Sequence, residues 1–170
     1  VDRALEAARL KRENIGLRRR IDSPVEPIGK STVIERLREQ VKRLAQHDAR
    51  VLFVGDPGVG KETFARYLHA NSLFLEEIAH MDDETQVRLM SALETNAFTR
   101  IGGTELMTFD VRVVASTSRS LEEEVRAGRF RPELYYLLNV VPIKVPSLSE
   151  HSEDVPDLLQ YYVDYFVSRE

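Results

Sequence analysis

Short runs of consecutive apolar residues alternate with helical repeats of apolar residues along this chain of 170 residues. The runs at Val51–Val54 and 111–116 are typical of strands that are buried on both faces of a sheet. Between such runs, apolar residues recur every three or four positions, which predicts amphipathic helices. Strands that alternate with helices predict an α/β fold, in which helices cover both faces of a parallel sheet.

The same pattern sets approximate bounds for each element. Ser31 is expected to cap a first helix over 32–46, whose apolar face would carry Val33, Leu37, Val41 and Leu44. The other predicted elements are a strand at Val51–Val54, a helix that contains Phe64, Ala65 and Leu68 and ends near Ala70, a strand over 73–77, a helix over 84–95, a turn at Gly102-Gly103, a strand over 111–116, helices over 121–127 and 130–136, and a strand over 140–145.

Residues 1–27 differ in character from the rest of the chain. Two rows with seven-residue spacing, Ala7-Asn14-Ile21 and Leu10-Leu17, favour a short coiled coil. A single solvated helix is equally well supported, because three heptads are marginal for pairing. The segment Asp22–Pro27 breaks the helical pattern and indicates a linker. We therefore expect a linker helix over 1–27 and one domain over 28–170.

A glycine-rich segment, GDPGVGKE, follows the first strand and precedes a helical pattern. This order of strand, GxxxxGK and helix is what a phosphate-binding loop requires, because glycines allow backbone N–H groups to approach the phosphate oxygens. The helix N-terminus and Lys61 would add positive charge. An ordinary glycine-rich turn with an exposed lysine is the weaker alternative. The candidate nucleotide-binding residues of this loop are Gly55, Asp56, Pro57, Gly58, Val59, Gly60, Lys61, Glu62 and Thr63.

Two carboxylates, Glu76 and Glu77, end the next predicted strand, and the segment Ser116–Ser118 ends the one after it. Ligands of parallel sheets bind beyond the carboxyl ends of the strands. We therefore expect these residues to lie on one rim with the glycine-rich loop. An acidic pair after a strand is weak evidence by itself, but its combination with the loop favours a nucleotide site that also handles Mg²⁺ and water.

The composition excludes several other classes of protein. The chain has no cysteine, which rules out disulfides and thiolate metal sites and suits a reducing cytoplasm. Its formal net charge of −4 argues against a nucleic-acid-binding surface. No apolar run reaches the length of a membrane span, so no membrane partner is expected. The four histidines have no ligand spacing and are interpreted as ordinary solvated or packed side chains.

Taken together, these motifs resemble a known family, the central AAA+ ATPase domains of bacterial enhancer-binding regulators of the NtrC type. The matching segments, in the family's order over roughly residues 28–160, are IGKS, GDPGVGKE, HANS, LFLEEI, RIGG, DVRVVAST, GRFRPELYYLLNVVPI and VPSLSEHSEDVPDLL. The resemblance implies a three-layer P-loop AAA+ domain that binds ATP or ADP with Mg²⁺. The opening VDRALEAARLKREN is similar to the helix that joins a phospho-receiver domain to the ATPase.

The resemblance also implies a role for individual residues. By position, Ile28 and Gly29 would border the adenine, and the loop with Lys61 would hold the phosphates. Glu76 would hold Mg²⁺ through water, and Glu77 would orient the attacking water. Ser118 would sense the γ-phosphate, and Arg131 would be an arginine finger directed at a neighbouring subunit. Glu62 is the family's usual residue after the loop lysine.

Three positions depart from the family. Glu76 stands where Asp is usual, Ser118 where Asn or Thr is common, and Leu137 where a second arginine finger would fall. Because an arginine finger can contribute about 10³–10⁵ to turnover, the loss at Leu137 should matter most. We therefore expect nucleotide binding with slow or absent hydrolysis.

A fourth departure lies between Ser72 and Leu73, where the family has several tens of residues, including a strand and the GAFTGA loop that engages sigma-N. The next strand is expected two places from the loop strand, about 9.6 Å away, and two residues reach only about 7 Å. We therefore expect residues to be missing at this point, with a naturally shortened domain as the alternative. The string Ala97–Arg100 is similar to GAFTGA by coincidence, and Phe98 is expected in the core.

The leading hypothesis is the ATP-binding central domain of a two-component response regulator that controls transcription without remodelling a sigma-N promoter complex. The alternative is an active AAA+ ring ATPase that remodels sigma-N RNA polymerase. The resemblance implies a histidine kinase partner through a receiver domain, DNA binding through a C-terminal domain, and self-association as a dimer or ring. The family's lid is expected to lie outside this chain.

Overall fold

The computed structural model describes residues 26–68, 72–100 and 102–168. The helix predicted over residues 1–21 lies outside these ranges. The described elements are α1 (Thr32–Leu44), β1 (Val51–Val54), α2 (Lys61–Leu68), β2 (Ser72–Leu75), α3 (Asp83–Thr95), β3 (Ala97–Thr99), β4 (Leu106–Thr108), β5 (Arg112–Thr117), α4 (Leu121–Arg126), α5 (Pro132–Leu138), β6 (Val141–Lys144) and α6 (Val155–Val167). Short 3₁₀ helices occupy Ile78–His80 and Leu148–Asp154.

Four strands form a parallel sheet in the order β2-β5-β1-β6. Its two central strands, β1 and β5, are almost completely buried, because helices cover both of their faces. The strands β3 and β4 form a separate antiparallel hairpin around the predicted glycine turn. The alternation of strands and helices, and the parallel sheet inferred from it, are confirmed.

Side chains alternate between two apolar cores along the sheet. Phe53 packs with helices α1 and α2 on one face, while its neighbour Leu52 packs with α3, α4 and α5 on the other. The strands are therefore apolar at consecutive positions, since each face needs its own set of side chains. This arrangement is the three-layer α/β architecture that the sequence predicted.

Two predicted core residues are exposed instead. On α1 the buried residues are Ile34, Leu37 and Val41, while Val33 is 38% exposed. Phe98, which was predicted in the core, is 41% exposed and lies on β3. The hairpin carries it away from both cores, and its ring packs against that of Phe109 with the centroids 6.2 Å apart.

Strand β2 lies at one edge of the sheet, with β5 between it and β1. The prediction that this strand stands two places from the loop strand is confirmed. The strand begins at Ser72, one residue earlier than predicted, since Ser72 pairs in register with Arg112. Leu68, the last residue of α2, is therefore followed by β2 after three residues.

No helix in the described part of the chain is both long enough and apolar enough to cross a membrane.

Candidate nucleotide-binding site

Residues from all three predicted rim segments line one cleft at the carboxyl ends of β1, β2 and β5, although the predicted site residues Gly55, Asp56 and Val59 are not among its lining residues. The cleft has a volume of about 450 Å³, within the range of small-molecule sites. It is lined by Pro57, Gly58, Gly60, Lys61, Glu62, Thr63, Glu76, Glu77, His80 and Ser118. Segments 57–63, 76–80 and 118 are far apart in sequence, and the parallel sheet brings them together.

The glycine-rich loop turns sharply between β1 and α2. Gly58 has a φ of 80° and Gly60 a φ of 91°, a left-handed region that favours glycine. The turn lets α2 begin at Lys61, so the free N–H groups of its first turn border the cleft. A helix N-terminus beside a glycine-rich turn is suited to bind phosphate.

All three protons of the Lys61 ammonium group have partners in this structure. The group donates to the backbone carbonyls of Gly55 and Asp56, at 2.8 and 3.1 Å. Its third partner is the carboxylate of Glu77, with Nζ 2.9 Å from Oε1. The Lys61 side chain is only 7% exposed. A phosphate that binds Lys61 must therefore replace one of these acceptors.

Glu77 is held from several directions. The backbone N–H and the hydroxyl of Ser118 donate to its second carboxylate oxygen, at 2.8 and 2.7 Å. Its own N–H donates to the hydroxyl of Ser116 at 3.3 Å, and its backbone has a left-handed φ of 49°. Partial burial alone would raise the pKa of Glu77, but the hydrogen bonds from Lys61 and Ser118 outweigh it and hold that pKa below its usual value.

Glu76 differs from its neighbour, because it is exposed and has no ion pair within the described residues. No group of three metal-ligating side chains occurs in that part of the chain either. Mg²⁺ typically binds one or two carboxylates together with substrate phosphates and water. An open carboxylate on the cleft fits that chemistry.

Ile28 and Gly29 do not line the cleft, and they belong to a segment held from the opposite end of the chain. Asp154, which is 1% exposed, accepts hydrogen bonds from the backbone N–H groups of Lys30 and Ser31, at 2.7 and 2.8 Å. The Ser31 hydroxyl and the His151 ring also contact its carboxylate. The sequence analysis missed this role of Asp154.

Gly29 makes the contact with Asp154 sterically possible. Its φ is 137°, and a Cβ at this position would lie 2.6 Å from an Asp154 carboxylate oxygen. Burial would raise the pKa of Asp154, but the hydrogen bonds that it accepts keep that pKa below its usual value. The segment predicted to border the adenine is thereby joined to the start of α6.

Arg131 also lies outside the cleft of its own chain. Its guanidinium forms two hydrogen bonds with the Asp83 carboxylate, both 2.8 Å long. The buried side chain of Gln86 accepts from the Arg131 backbone N–H at 2.9 Å. The Asp83 carboxylate has a lowered pKa, chiefly because of the hydrogen bond from Arg131. The role of Arg131 in a neighbouring subunit stays a prediction.

His80 lines the cleft, although the sequence analysis assigned no function to any histidine. It ends the short 3₁₀ helix Ile78–His80 that follows the two carboxylates. Its position depends on the turn at Glu77, which no periodic pattern reveals. A larger groove of about 680 Å³ lies between α3 and the β3–β4 hairpin, but no carboxylate or histidine lines it.

Comparison with known proteins identifies the family. Two family models, both described as a sigma-54 interaction domain, match residues 28–106 and 70–144. The chain is also 38% identical to the nitrogen assimilation regulatory protein NtrX of Azorhizobium caulinodans over 96% of its own length. The chain belongs to the sigma-54 interaction domain family.

Other proteins of this family are also similar to the chain in sequence and structure. The transcriptional regulatory protein ZraR of Escherichia coli is 33% identical over 84% of the chain. The crystal structure of NtrX from Brucella abortus in complex with ADP superimposes with a TM-score of 0.78, at 31% identity over 95% of the chain. A P-loop NTPase domain of a sigma-54 activator from E. coli, 24% identical, shares the fold with a TM-score of 0.51.

The chain spans about half the length of the relatives that it matches: 46% of the Azorhizobium protein, 44% of ZraR and 47% of the Brucella chain. The alignments also include many positions that this chain lacks. The Azorhizobium alignment has 210 positions but includes 96% of the 170 residues here, about 163, so about 47 positions have no counterpart in this chain. The ZraR alignment gives about 49 in the same way.

Proposed function

We propose that this chain is the nucleotide-binding central domain of a bacterial two-component response regulator that controls transcription. The observation that carries the proposal is the convergence of the glycine-rich loop, Lys61, Glu77 and Ser118 on one cleft at the end of a parallel sheet. Membership of the sigma-54 interaction domain family supports it, and the related NtrX from Brucella abortus has been solved with ADP and with ATP.

ATP or ADP would bind with its phosphates on the loop and on the first turn of α2. Lys61 would exchange Glu77 for a phosphate, and the released Glu77 carboxylate would remain held by Ser118. Glu76 would face a Mg²⁺ ion that arrives with the nucleotide. Ile28 and Gly29 would border the base, in a position kept by Asp154.

Hydrolysis is expected to be slow, so that the nucleotide acts chiefly as a ligand that favours assembly. Leu137, on α5, stands at the position of a second arginine finger and has no charge to offer a transferring phosphoryl group. Arg131 would remain as the single finger, and it must first leave Asp83, its partner in this structure.

For the parts of the protein beyond the nucleotide site, we propose the domain arrangement of the family. Residues 1–27 would form the linker helix from a receiver domain, and 28–170 the ATP-binding domain. We place the positions that this chain lacks, about 47 in the Azorhizobium alignment, just before β2, where the sequence departs from the family's pattern. A receiver domain with its kinase, a DNA-binding domain and the sigma-54 form of RNA polymerase would be the partners.

The test measures binding and turnover separately in the same protein. ADP and ATP affinities are obtained by titration calorimetry, and phosphate release is followed over a wide range of protein concentrations. Binding with a turnover that is near zero at every concentration supports the proposal. No binding by a folded protein, or binding unchanged by Lys61→Ala, would overturn it.

An active ring ATPase is the second candidate, and the presence of both Glu77 and Arg131 favours it. In a ring, each site is completed by a neighbouring subunit, so turnover per subunit must increase with protein concentration. Such an increase, together with open-complex formation at a sigma-54 promoter, would replace the first proposal by this one.

A further inference from the structure

His80 is a side chain of the cleft to which the proposed function assigns no role. It ends the 3₁₀ helix Ile78–His80, in which Ile78 and Ala79 are buried in the core with α3, α4 and α5 while His80 is exposed. Its backbone N–H donates to the Glu77 carbonyl at 3.0 Å, which closes the turn. The two buried residues therefore fix the turn, and the His80 side chain is left on the wall of the cleft.

The charges that line the cleft are unfavourable for a polyphosphate. Three carboxylates, those of Glu62, Glu76 and Glu77, line it together with the single ammonium group of Lys61. That group has no proton available, because Glu77 and two backbone carbonyls accept all three. Among the lining residues, His80 is the one other side chain that can acquire a positive charge. Histidine changes its charge between about pH 5 and 8.

Helix α4 adds further charges near His80. The buried carboxylate of Glu124 has a lowered pKa, chiefly because of the hydrogen bonds from Arg129, and a positive charge on His80 also contributes. Glu124 therefore attracts a proton to His80. Arg129 donates twice to this carboxylate, at 2.6 and 2.9 Å, and Arg119 lies 4.0 Å from it, so these two arginines offset part of that attraction. The carboxylates of the cleft act in the same direction as Glu124.

We propose that protonated His80 binds the γ-phosphate of ATP and thereby makes this cleft prefer ATP to ADP, increasingly so as the pH falls. The backbone of a glycine-rich loop holds the α- and β-phosphates, so the γ-phosphate lies beyond it. The lining residues beyond the loop come from segment 76–80 and Ser118, and of these only His80 can be cationic. ADP has no phosphate to place there. The inference rests on the proposed function, because it names the side chain that distinguishes the two nucleotides of the same cleft.

Proton uptake and ATP binding are then linked. If the complex binds more protons than the free protein and nucleotide do, the affinity must rise as the pH falls. A hydrogen bond to a charged group is worth more than one between neutral groups. We therefore expect the preference, which is the ADP dissociation constant divided by that of ATP, to be at least about fivefold larger at about pH 6 than at about pH 8.

The test is titration calorimetry of the complete chain with ATP and with ADP at both pH values, in buffer without Mg²⁺ so that ATP is not hydrolysed. His80→Gln keeps a polar side chain that cannot become charged, so the preference should change by less than about twofold between the two pH values. His80→Lys carries a charge at both and should prefer ATP at both, which a merely structural role would not produce. His47→Gln is the matched control, because His47 is also exposed but does not line the cleft.

Calorimetry in buffers of different ionisation enthalpy then measures the protons taken up on binding. At about pH 7, the unmodified protein should take up more protons with ATP than His80→Gln does, and the exchange of the nucleotide's own proton is common to both. The same pH dependence in the unmodified protein and in His80→Gln, or no preference for ATP in His80→Lys, would overturn this inference and leave the proposed function in place. If the folded protein bound neither nucleotide, both would be overturned.

Discussion

Replacement of Glu77 by Gln is expected to tighten the binding of ADP, although it removes a residue of the site itself. In this structure the Lys61 ammonium group has no proton available for a phosphate, because Gly55, Asp56 and Glu77 accept all three. The two carbonyls are part of the loop backbone and move little. Glu77 is therefore the acceptor that the phosphate must displace, and its negative charge competes with the negative charge of the ligand.

The size of the effect follows from the geometry of this pair. The contact is 2.9 Å long, and the side chains are 7% and 27% exposed, so the solvent screens it only in part. Hydrogen bonds that involve a charged group contribute about 1.5–3 kcal/mol, and we place the contact between two charged groups near the upper end of that range and a contact between charged lysine and a neutral acceptor near its lower end. Glutamine keeps a carbonyl acceptor but loses the charge, so the competing contact weakens by about 1 kcal/mol. ADP should then bind about fivefold more tightly.

The assay is titration calorimetry with ADP in buffer without Mg²⁺, which excludes both hydrolysis and metal binding. The matched control is Glu76→Gln, which removes a carboxylate from the same cleft but no ion pair. If Glu76→Gln tightened binding equally, the cause would be general repulsion between the cleft and the phosphates. If Glu77→Gln bound ADP no better than the unmodified protein, the competition between carboxylate and phosphate would be refuted.

Three further predictions concern binding, stability and turnover. Lys61→Ala should weaken ADP binding by more than about tenfold, which would appear as loss of the increase in melting temperature caused by ADP. Lys144→Ala, which removes an exposed lysine, should leave ADP binding unchanged. Asp154→Ala should lower the free energy of unfolding at pH 7 by about 2–4 kcal/mol, because buried donors lose their acceptor. Asp157→Ala should have little effect, because its half-exposed carboxylate forms only a surface ion pair with Lys30. Folding lowers the pKa of Asp154, so this carboxylate stabilises the protein fully above its unfolded pKa of about 3.9 and stops doing so as the pH falls through its folded pKa. In urea unfolding at decreasing pH, the difference in stability between the unmodified protein and Asp154→Ala should therefore shrink. Leu137→Arg should increase ATP turnover at high protein concentration by a factor of up to about 10³–10⁵. Leu137→Lys should increase it less, because lysine lacks the planar guanidinium group of arginine. Equal rates for the two variants would contradict the role of this position as an arginine finger.

The loop and its strand were predictable because their signals are local. Glycines at Gly58 and Gly60 are required by a left-handed backbone, which the spacing in GDPGVGKE already implies. The strand Val51–Val54 had its predicted bounds, since four consecutive apolar residues suit only a position between two cores. Helix faces were less certain: a shift of one residue moved burial from Val33 to Ile34, because neighbouring apolar residues satisfy the helical period about equally.

The sequence by itself determined the fold class, the phosphate loop and the carboxylates that face it, because each depends on short-range geometry and on the rule that parallel strands end at one rim. Only the tertiary structure decided which groups those residues contact. Three of these contacts join residues that are 16, 48 and 123 positions apart: Lys61 with Glu77, Arg131 with Asp83, and Asp154 with the backbone at Ser31. Such contacts depend on how the layers pack, and a buried charge takes whichever partner that packing brings within reach.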